Sequence, residues 1–364
     1  MTQVPGIEVG RLRSWLDQRG LGSGPLGGFK LIGGGTQNIV VSFERAGRTF
    51  VLRRGPLHKR ESSDEAMRRE AAVLRSLAGT QVPHPRLIDS CPDTDVLGSA
   101  FYLTEFVEGD NPKEGLPPAY RDSVAARREI GFGFADAAAA IAALDHVALG
   151  LERLGRPAGF LERQVPRWSA LFDSYAGAPG YDIKERAAQI ADVGHWLERH
   201  RPHSFRPGLM HGDYHLWNIM VDRDEPRIAA VVDWELATIG DPLLDLGWIL
   251  ATWPEPDGSG ICAIGFDPWD GMPTPAEVVE RYAAGSDRDL THVRWYEVLA
   301  AFKLGVILEG TYARSLGGEA PAGVGQEMHE RSLALLARAR CRIDTALRPG
   351  FLSYHCIDKR GPLT

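Results

Sequence analysis

The period of hydrophobic and polar positions changes near residue 110, and that change organises the chain. Ile7, Leu12, Trp15 and Leu16 recur at helical spacing, which predicts a helix over 7–19. Short apolar runs then alternate with turn residues: 29–32, a glycine-rich segment 33–38, 39–43, a turn at 45–48, and 49–53. This order reads as an antiparallel sheet. Ala66, Glu70, Val73, Leu74 and Leu77 predict a helix over 63–78, ended by Pro83 and Pro85. A further strand over 100–107 stops at Glu108, Gly109 and Asp110.

Helical spacing dominates from there. Helices are predicted over 119–147, 183–200, 242–250, 294–316 and 326–347, with short strands between Asp213 and Asp233. The alanine-rich run 135–143 reads as a closely packed helix face. The Pro/Gly/Asp-rich stretch 253–275 reads as a long surface loop and candidate lid. The fold class is therefore α+β. A small antiparallel-sheet lobe, 1–106, precedes a larger, mainly helical lobe, 107–364, with a connector near Glu105 to Gly109.

Composition narrows the function classes. The chain has 364 residues, 44% hydrophobic, which suffices for more than one core. Its net charge of −7 comes from interspersed acids and bases, with no long basic block, so a nucleic-acid partner is not expected. The densest basic patch is Arg53, Arg54, His58, Lys59 and Arg60, which reads either as a solvated loop or as a phosphate contact. Cys91, Cys262, Cys341 and Cys356 are scattered without metal-ligand spacing, as expected of reduced thiols. No signal-like N-terminus or membrane-length apolar run stands out, so a cytoplasmic protein without a membrane partner is expected.

The chemistry concentrates in His211-Gly212-Asp213-Tyr214-His215-Leu216-Trp217-Asn218 and in Val231-Val232-Asp233-Trp234-Glu235. Asp213 is suited to orient a hydroxyl and accept its proton. Asn218 and Asp233 are candidate ligands for Mg²⁺ ions that neutralise a migrating phosphoryl group. Oxygen ligands in small number suit Mg²⁺, which takes the rest from water and ATP phosphates. Each residue alone also suits a turn; their order between strand patterns is what points to ATP-dependent phosphoryl transfer.

These two segments resemble the aminoglycoside phosphotransferase family, small-molecule kinases with a protein-kinase-like, two-lobed fold. Within it, the chain is most similar to the kinase-like domains associated with acyl-CoA dehydrogenases and to their free-standing bacterial relatives. Phe50 to Pro56, Arg163-Gln164 with Trp168, Val232 to Pro242, Phe302-Lys303 and Tyr312 to Arg314 carry that likeness. The resemblance implies that Gly34, Gly35, Thr36 and Asn38 close over the phosphates. Gln37 departs from the branch, where Ser commonly precedes the Asn. It implies that Arg53 stands for the phosphate-binding lysine with Glu70 as its partner, and that Glu105 and Val107 offer backbone groups to adenine. His211 and Asp245 would support the catalytic loop, with Asp241 one turn before Asp245 as a cap or support. His215 would approach the phosphates.

For the acceptor, the resemblance implies a small hydroxyl substrate, a 4-hydroxyacyl-CoA thioester, and a functional link to an acyl-CoA dehydrogenase. Arg163, Gln164, Trp168, Lys303 and Arg314 would line its site or meet CoA phosphates; a surface ion pair or core aromatic is the competing reading of each. Aminoglycoside phosphorylation and a non-catalytic ATP-binding module stand as alternatives. Protein kinase activity is disfavoured by the short segment between Asp233 and Pro242.

Overall fold

The computed structural model describes residues 4–34, 38–58, 62–254 and 267–346. Its first half is a five-stranded antiparallel sheet in the order β1-β2-β3-β5-β4. The strands are β1 (Gly27–Gly34), β2 (Ile39–Arg45), β3 (Arg48–Arg54), β4 (Leu87–Cys91) and β5 (Phe101–Glu105). A two-residue turn, Ala46-Gly47, closes β2 on β3 with both φ angles positive. Such turns match the twist of the flanking strands and fix the register. Phe43 therefore sits opposite Phe50, their rings stacked 5.3 Å apart.

That register sends alternate residues to opposite faces. On one face Val41, Phe43, Phe50, Leu52, Phe101 and Leu103 are buried against Leu12, Trp15 and Leu16 of α1 (Val9–Gln18). On the other, Arg53 and its β5 partner Tyr102 turn toward α2 (Ser63–Ser76), which carries Glu70. Met67, Ala71, Leu74 and Tyr102 belong to the same continuous core as the helical half, so α2 ties the sheet to that half.

The helical half contains α3 (Pro118–Arg121), α4 (Val124–Ala143), α5 (Gln164–Asp173), α6 (Lys184–Arg199), α7 (Leu243–Thr252), α8 (Pro275–Gly285), α9 (Val293–Leu316) and α10 (Ala322–Ala346). Every residue of α7 is buried, as its nearly continuous apolar sequence requires. α9 runs through the centre, against α5, α6, α7 and α10. Two small ribbons interrupt the helices: β6 (Gly208–Met210) pairs with β9 (Thr238–Gly240), and β7 (Ile219–Val221) with β8 (Ile228–Val231). Together they frame the segment 211–237. The fold is α+β, an antiparallel sheet followed by helices, as the element order suggested.

Several local expectations need correction. The helix expected over 119–147 is two helices. Ser123 caps the second by accepting from the Ala126 N–H, and Leu144 leaves helical geometry. Asp145 then accepts from the Val147 and Ala148 N–H groups, which holds that segment as a turn. Strand β4 was not expected; Leu87, Ile88, Asp89 and Ser90 are only half-buried at a sheet edge and give no clean alternation. Helices α5 and α8 were also missed. α8 begins inside the expected loop 253–275, where Thr274 and Glu277 form a reciprocal capping box with Pro275 in the first turn. That signal was present in the sequence. The rest of the candidate lid, 255–266, lies outside the described residues, as do Gly35, Thr36, Gln37, Lys59, Arg60 and the tail from 347.

Among the described residues, Cys91 and Cys341 are free thiols, and no helix is long and apolar enough to cross a membrane. Leu52 is fully buried between the sheet and α1. Leu52→Ala is expected to lower unfolding stability by about 2–5 kcal/mol in urea titration. A loss under about 1 kcal/mol would contradict this account of the first core.

Candidate active site

The segment 211–218 is held from behind by buried groups. Asp245, in the first turn of α7, accepts from the backbone N–H of His211 at 2.6 Å and of Gly212 at 2.9 Å. Burial pushes its carboxyl up to about 6, and the two N–H bonds resist that rise. Lys303 of α9 donates to the Gly212 carbonyl at 3.2 Å, its ammonium lying over the rings of Trp248 and Trp168. Burial pulls Lys303 down to about 8 against the charges of Asp213 and Asp245. Both backbone polar groups of Gly212 are thus fixed by charged side chains. Gly212 itself has φ +85°, and a Cβ there would lie 2.5 Å from the Leu236 carbonyl oxygen. Only glycine fits.

His211 is fully buried, and its Nε2–H donates to the Val232 carbonyl at 2.9 Å. Burial lowers its basicity, opposed by the Val232 hydrogen bond and the charges of Asp213 and Asp233. Asp241 is not a surface cap: it is buried, accepts from the Leu243 N–H at 3.1 Å and takes the Tyr296 hydroxyl.

Asp213 emerges from this scaffold with its side chain 31% exposed. Asn218 Nδ2 donates to its backbone oxygen at 2.9 Å and to its Oδ2 at 3.2 Å. His215 Nε2 also lies 3.3 Å from Oδ2, while His215 Nδ1 accepts the Trp217 N–H. That second bond puts the neutral ring's proton on Nε2, aimed at Asp213. Burial raises the Asp213 carboxyl, but His215, His211 and Lys303 outweigh it and hold it below its usual value. With Nδ2 committed to Asp213, Asn218 Oδ1 accepts no hydrogen bond among the described residues.

Asp233 follows β8 in a left-handed conformation, φ 65° and ψ 63°, a strained backbone of the kind that clusters at functional sites. Its side chain is 37% exposed, and Oδ1 accepts from Arg53 Nη2 at 2.6 Å. Arg53 Nε lies 3.2 Å from Glu70 Oε2, an ion-pair contact outside hydrogen-bond alignment, and Nη2 lies 3.5 Å from Glu235 Oε2. Burial opposes the Arg53 charge, but Glu70, Tyr102 and Asp233 together hold it more firmly protonated than in water. Burial pushes Glu70 up to about 7 despite Arg53. Glu70 also accepts the backbone N–H of Trp234 at 3.1 Å, which ties α2 to the residue after Asp233. Asn38, where the glycine segment re-enters β2, donates to Glu235 at 2.8 Å.

The sequence-derived residues therefore divide. Asp213, Asn218, Asp233, Arg53, Glu70 and Asn38 converge on one cleft, with His211 and Asp245 behind it. Gly34 ends β1 opposite Ile39, while Gly35 and Thr36 lie outside the described residues. The Glu105 N–H is taken by the Arg86 carbonyl, and its side chain pairs with Arg48 and Arg86 at the surface. The Val107 backbone makes no hydrogen bond within the described residues. Lys303 and Trp168 lie under the loop rather than on an open surface. Gln164 donates to the Phe160 carbonyl and accepts from Trp168 Nε1. Arg163 donates to the carbonyls of Ala158 and Arg156. Arg314 lies about 16 Å further along α9 than Lys303, at 1.5 Å per residue, and bonds Thr311 there. Glu235 was quoted in its motif but given no role, and the His215 contact to Asp213 was not anticipated. The signal for both was their spacing, two residues after an acid.

Among the described residues no group of three or more His, Cys, Asp or Glu side chains forms a metal cage. The free Asn218 Oδ1 and the exposed Asp233 carboxylate instead suit a cation that brings ligands of its own, as Mg²⁺ does with a nucleotide. The brace behind the loop is testable. Asp245→Ala strips two buried N–H groups of their acceptor and should cost roughly 2–5 kcal/mol in denaturant unfolding. Asp245→Asn, which keeps an acceptor oxygen, should cost less. Equal losses for the two variants would contradict this assignment.

Comparison with known proteins agrees with this geometry. The model of the phosphotransferase enzyme family matches residues 28–296. The chain is 29% identical over 327 residues to acyl-CoA dehydrogenase family member 10 of Mus musculus, covering 87% of this chain and 29% of that one. It is 30% identical over 316 residues to the probable acyl-CoA dehydrogenase IBR3 of Arabidopsis thaliana, covering 80% and 37%. The chain thus spans about a third of the length of these relatives. Among solved structures, a putative aminoglycoside phosphotransferase from Ralstonia eutropha is 28% identical with a TM-score of 0.73, covering 92% of this chain and 98% of that one. A thermostable mutant of aminoglycoside phosphotransferase APH(4)-Ia, in ternary complex with ADP and hygromycin B, superposes with a TM-score of 0.56 at 18% identity, over 90% and 98%. The family match over most of the chain, the kinase-like fold and the cleft around Asp213 lead to one conclusion: this chain belongs to the phosphotransferase enzyme family.

Proposed function

We propose that this chain is an ATP-dependent small-molecule kinase that transfers the γ-phosphoryl group of ATP to a substrate hydroxyl. The observation that carries the reading is the Asp213 carboxylate, kept ionised and oriented by Asn218 and His215, with the Asp233 segment tied to the same loop through the Val232 N–H to the Asn218 carbonyl. In this reading Asp213 accepts a hydrogen bond from the acceptor hydroxyl and takes its proton as the oxygen attacks phosphorus. ADP then leaves. Asn218 and Asp233 would hold Mg²⁺, which neutralises charge on the β- and γ-phosphates when bound. Arg53 would meet the α- and β-phosphates while Glu70 retains it. Asn38, with the glycine segment around it, would cover the phosphates, and the Val107 backbone would meet the adenine edge.

The acceptor we propose is a hydroxyacyl-CoA thioester of the 4-hydroxyacyl type, handled in the cytoplasm. Support comes from relatives named as acyl-CoA dehydrogenase family members. The chemistry is consistent: a phosphorylated hydroxyl is a better leaving group, and its elimination yields an unsaturated thioester that links to acyl-CoA dehydrogenase chemistry. An aminoglycoside acceptor is the alternative favoured by the name of the Ralstonia structure.

ADP release measured side by side with hydroxyacyl-CoAs, free hydroxy acids and aminoglycosides should rise with the thioesters; a rise with aminoglycosides alone contradicts the proposed acceptor. Asp213→Ala should lower turnover by about 10²–10⁴-fold, and undiminished turnover would remove Asp213 from the reaction. Lys303→Met, which frees the Gly212 carbonyl, should lower kcat by about tenfold to a hundredfold with the KM for ATP unchanged.

Lys303 also sets a pH dependence. Wild-type turnover should fall as pH rises through about 8, and the variant should lack that limb. Stability runs the other way. The folded value of about 8 lies below the ordinary 10.5, so the unfolded chain binds the proton more tightly. The contribution of Lys303 to stability therefore rises with pH between these values. The same alkaline limb in both proteins would show that another group produces it.

A further inference from the structure

A cavity of about 690 Å³ opens at the N-terminal end of α5, lined by Arg156, Arg163, Arg167, Phe160, Thr238 and Ile239 among others. Its volume lies within the range of small-molecule sites. Its floor is β9, whose partner β6 runs directly into the catalytic loop: Met210 pairs with Thr238 and precedes His211. On the other side, the Arg167 guanidinium lies over the Trp168 ring at 4.8 Å, and Trp168 in turn lies under Lys303, which holds Gly212 next to Asp213. The cavity therefore adjoins the catalytic loop from the helical lobe.

Its charge is uncompensated. None of the three guanidinium groups has a carboxylate within ion-pair distance among the described residues, and Glu162 is the only acid in the lining. Several other exposed guanidinium groups are paired: Arg206 with Asp287, Arg223 with Asp110, Arg281 with Asp136. Arg163 braces the cavity wall through the carbonyls of Ala158 and Arg156, whereas the Arg156 and Arg167 guanidinium groups make no hydrogen bond within the described residues. Guanidinium groups without a carboxylate partner are open to an anion, and their planar forks suit phosphate or carboxylate oxygens. Phe160, Pro166 and Ile239 add an apolar wall for a ring or an aliphatic segment.

We propose that this cavity docks an anionic, phosphate-bearing end of the acceptor through Arg156, Arg163 and Arg167, leaving the hydroxyl end to reach Asp213. The assignment rests on the reading of the chain as a kinase for a CoA-linked acceptor and names the surface that recognises it. A polycationic acceptor would be repelled there. The same chemistry would take the carboxylate of a free hydroxy acid, so the two sources need separating.

Coenzyme A itself, which has no acyl hydroxyl, is titrated calorimetrically into the full chain without ATP. The comparison is with Arg156→Glu/Arg167→Glu and with Arg156→Lys/Arg167→Lys; phosphate-free pantetheine is the control. We expect wild type to bind CoA and not pantetheine, with binding weakened at least tenfold by the glutamates, largely retained by the lysines and reduced by salt. ATP affinity and melting temperature should not change. Should the double glutamate variant prove unstable, Arg156→Glu alone serves, since that side chain makes no hydrogen bond or ion pair among the described residues.

Equal CoA binding by wild type and the glutamate variants overturns the assignment, as does phosphorylation of a hydroxyacyl-CoA by the variant at wild-type KM; either result leaves the kinase reading standing. If wild type binds no CoA but phosphorylates a free hydroxy acid with a KM that the glutamates raise, the CoA reading fails and the anion site stands. Phosphorylation of aminoglycosides alone, with KM unaffected by these arginines, removes both.

Discussion

One buried guanidinium joins the halves of this molecule. Arg53 leaves the sheet on the face opposite its packed core, only 14% exposed, and touches Glu70 of α2, Asp233 after β8 and Glu235 beyond it. A lysine would place one compact charge among these acids; the planar fork of arginine reaches Glu70 through Nε and Asp233 through Nη2 together. The balance is still negative, with three carboxylates around one cation and Asp213 close by. Burial, with the Asp233 and Glu235 charges adding to it, lifts Glu70 to about 7 even beside Arg53. A cleft of this polarity would suit a divalent cation, as the proposed reaction requires.

A second constraint acts from below. Besides Tyr214 and Leu216, which sink into the core, the catalytic loop is held by its own buried His211 and by two buried side chains from distant segments. Asp245 takes the N–H groups of His211 and Gly212, Lys303 takes the Gly212 carbonyl that follows them, and His211 reaches Val232 beside Asp233. Each of these polar groups is buried because its partner is buried with it, which is the condition for polar atoms in a core. The result is an acid, Asp213, that stands at the surface of a rigid scaffold rather than on a mobile loop.

Much of this was legible in the sequence, for definite reasons. The hairpin of β2 and β3 follows from two alternating strands around Ala46-Gly47, and the acids and amide of the catalytic loop lie close together in the chain. Arg53 and Glu70 were found through resemblance, since nothing local relates a strand residue to a helix residue so far along. What escaped depends on contacts distant in sequence. Lys303 looked like a surface cation for the substrate because its burial between Trp168 and Trp248 is set by the crossing of α5, α7 and α9. Helix α5 begins with Gln164, Val165 and Pro166, a sequence that does not advertise a helix until Trp168 and Phe172 find the core. The capping box of α8 was local and readable, yet the proline-rich stretch before it masked the start.

The central claim is that the cleft around Asp213 moves a phosphoryl group from ATP onto an acceptor hydroxyl. Mass spectrometry of a hydroxyacyl-CoA after incubation with γ-¹⁸O-labelled ATP tests it most directly. The account predicts one labelled phosphoryl group on the hydroxyl of the acyl chain, absent when Asp213→Asn replaces wild type. ATP hydrolysed with the label found only in inorganic phosphate, or label on the acceptor with Asp213→Asn as readily as with wild type, would contradict it.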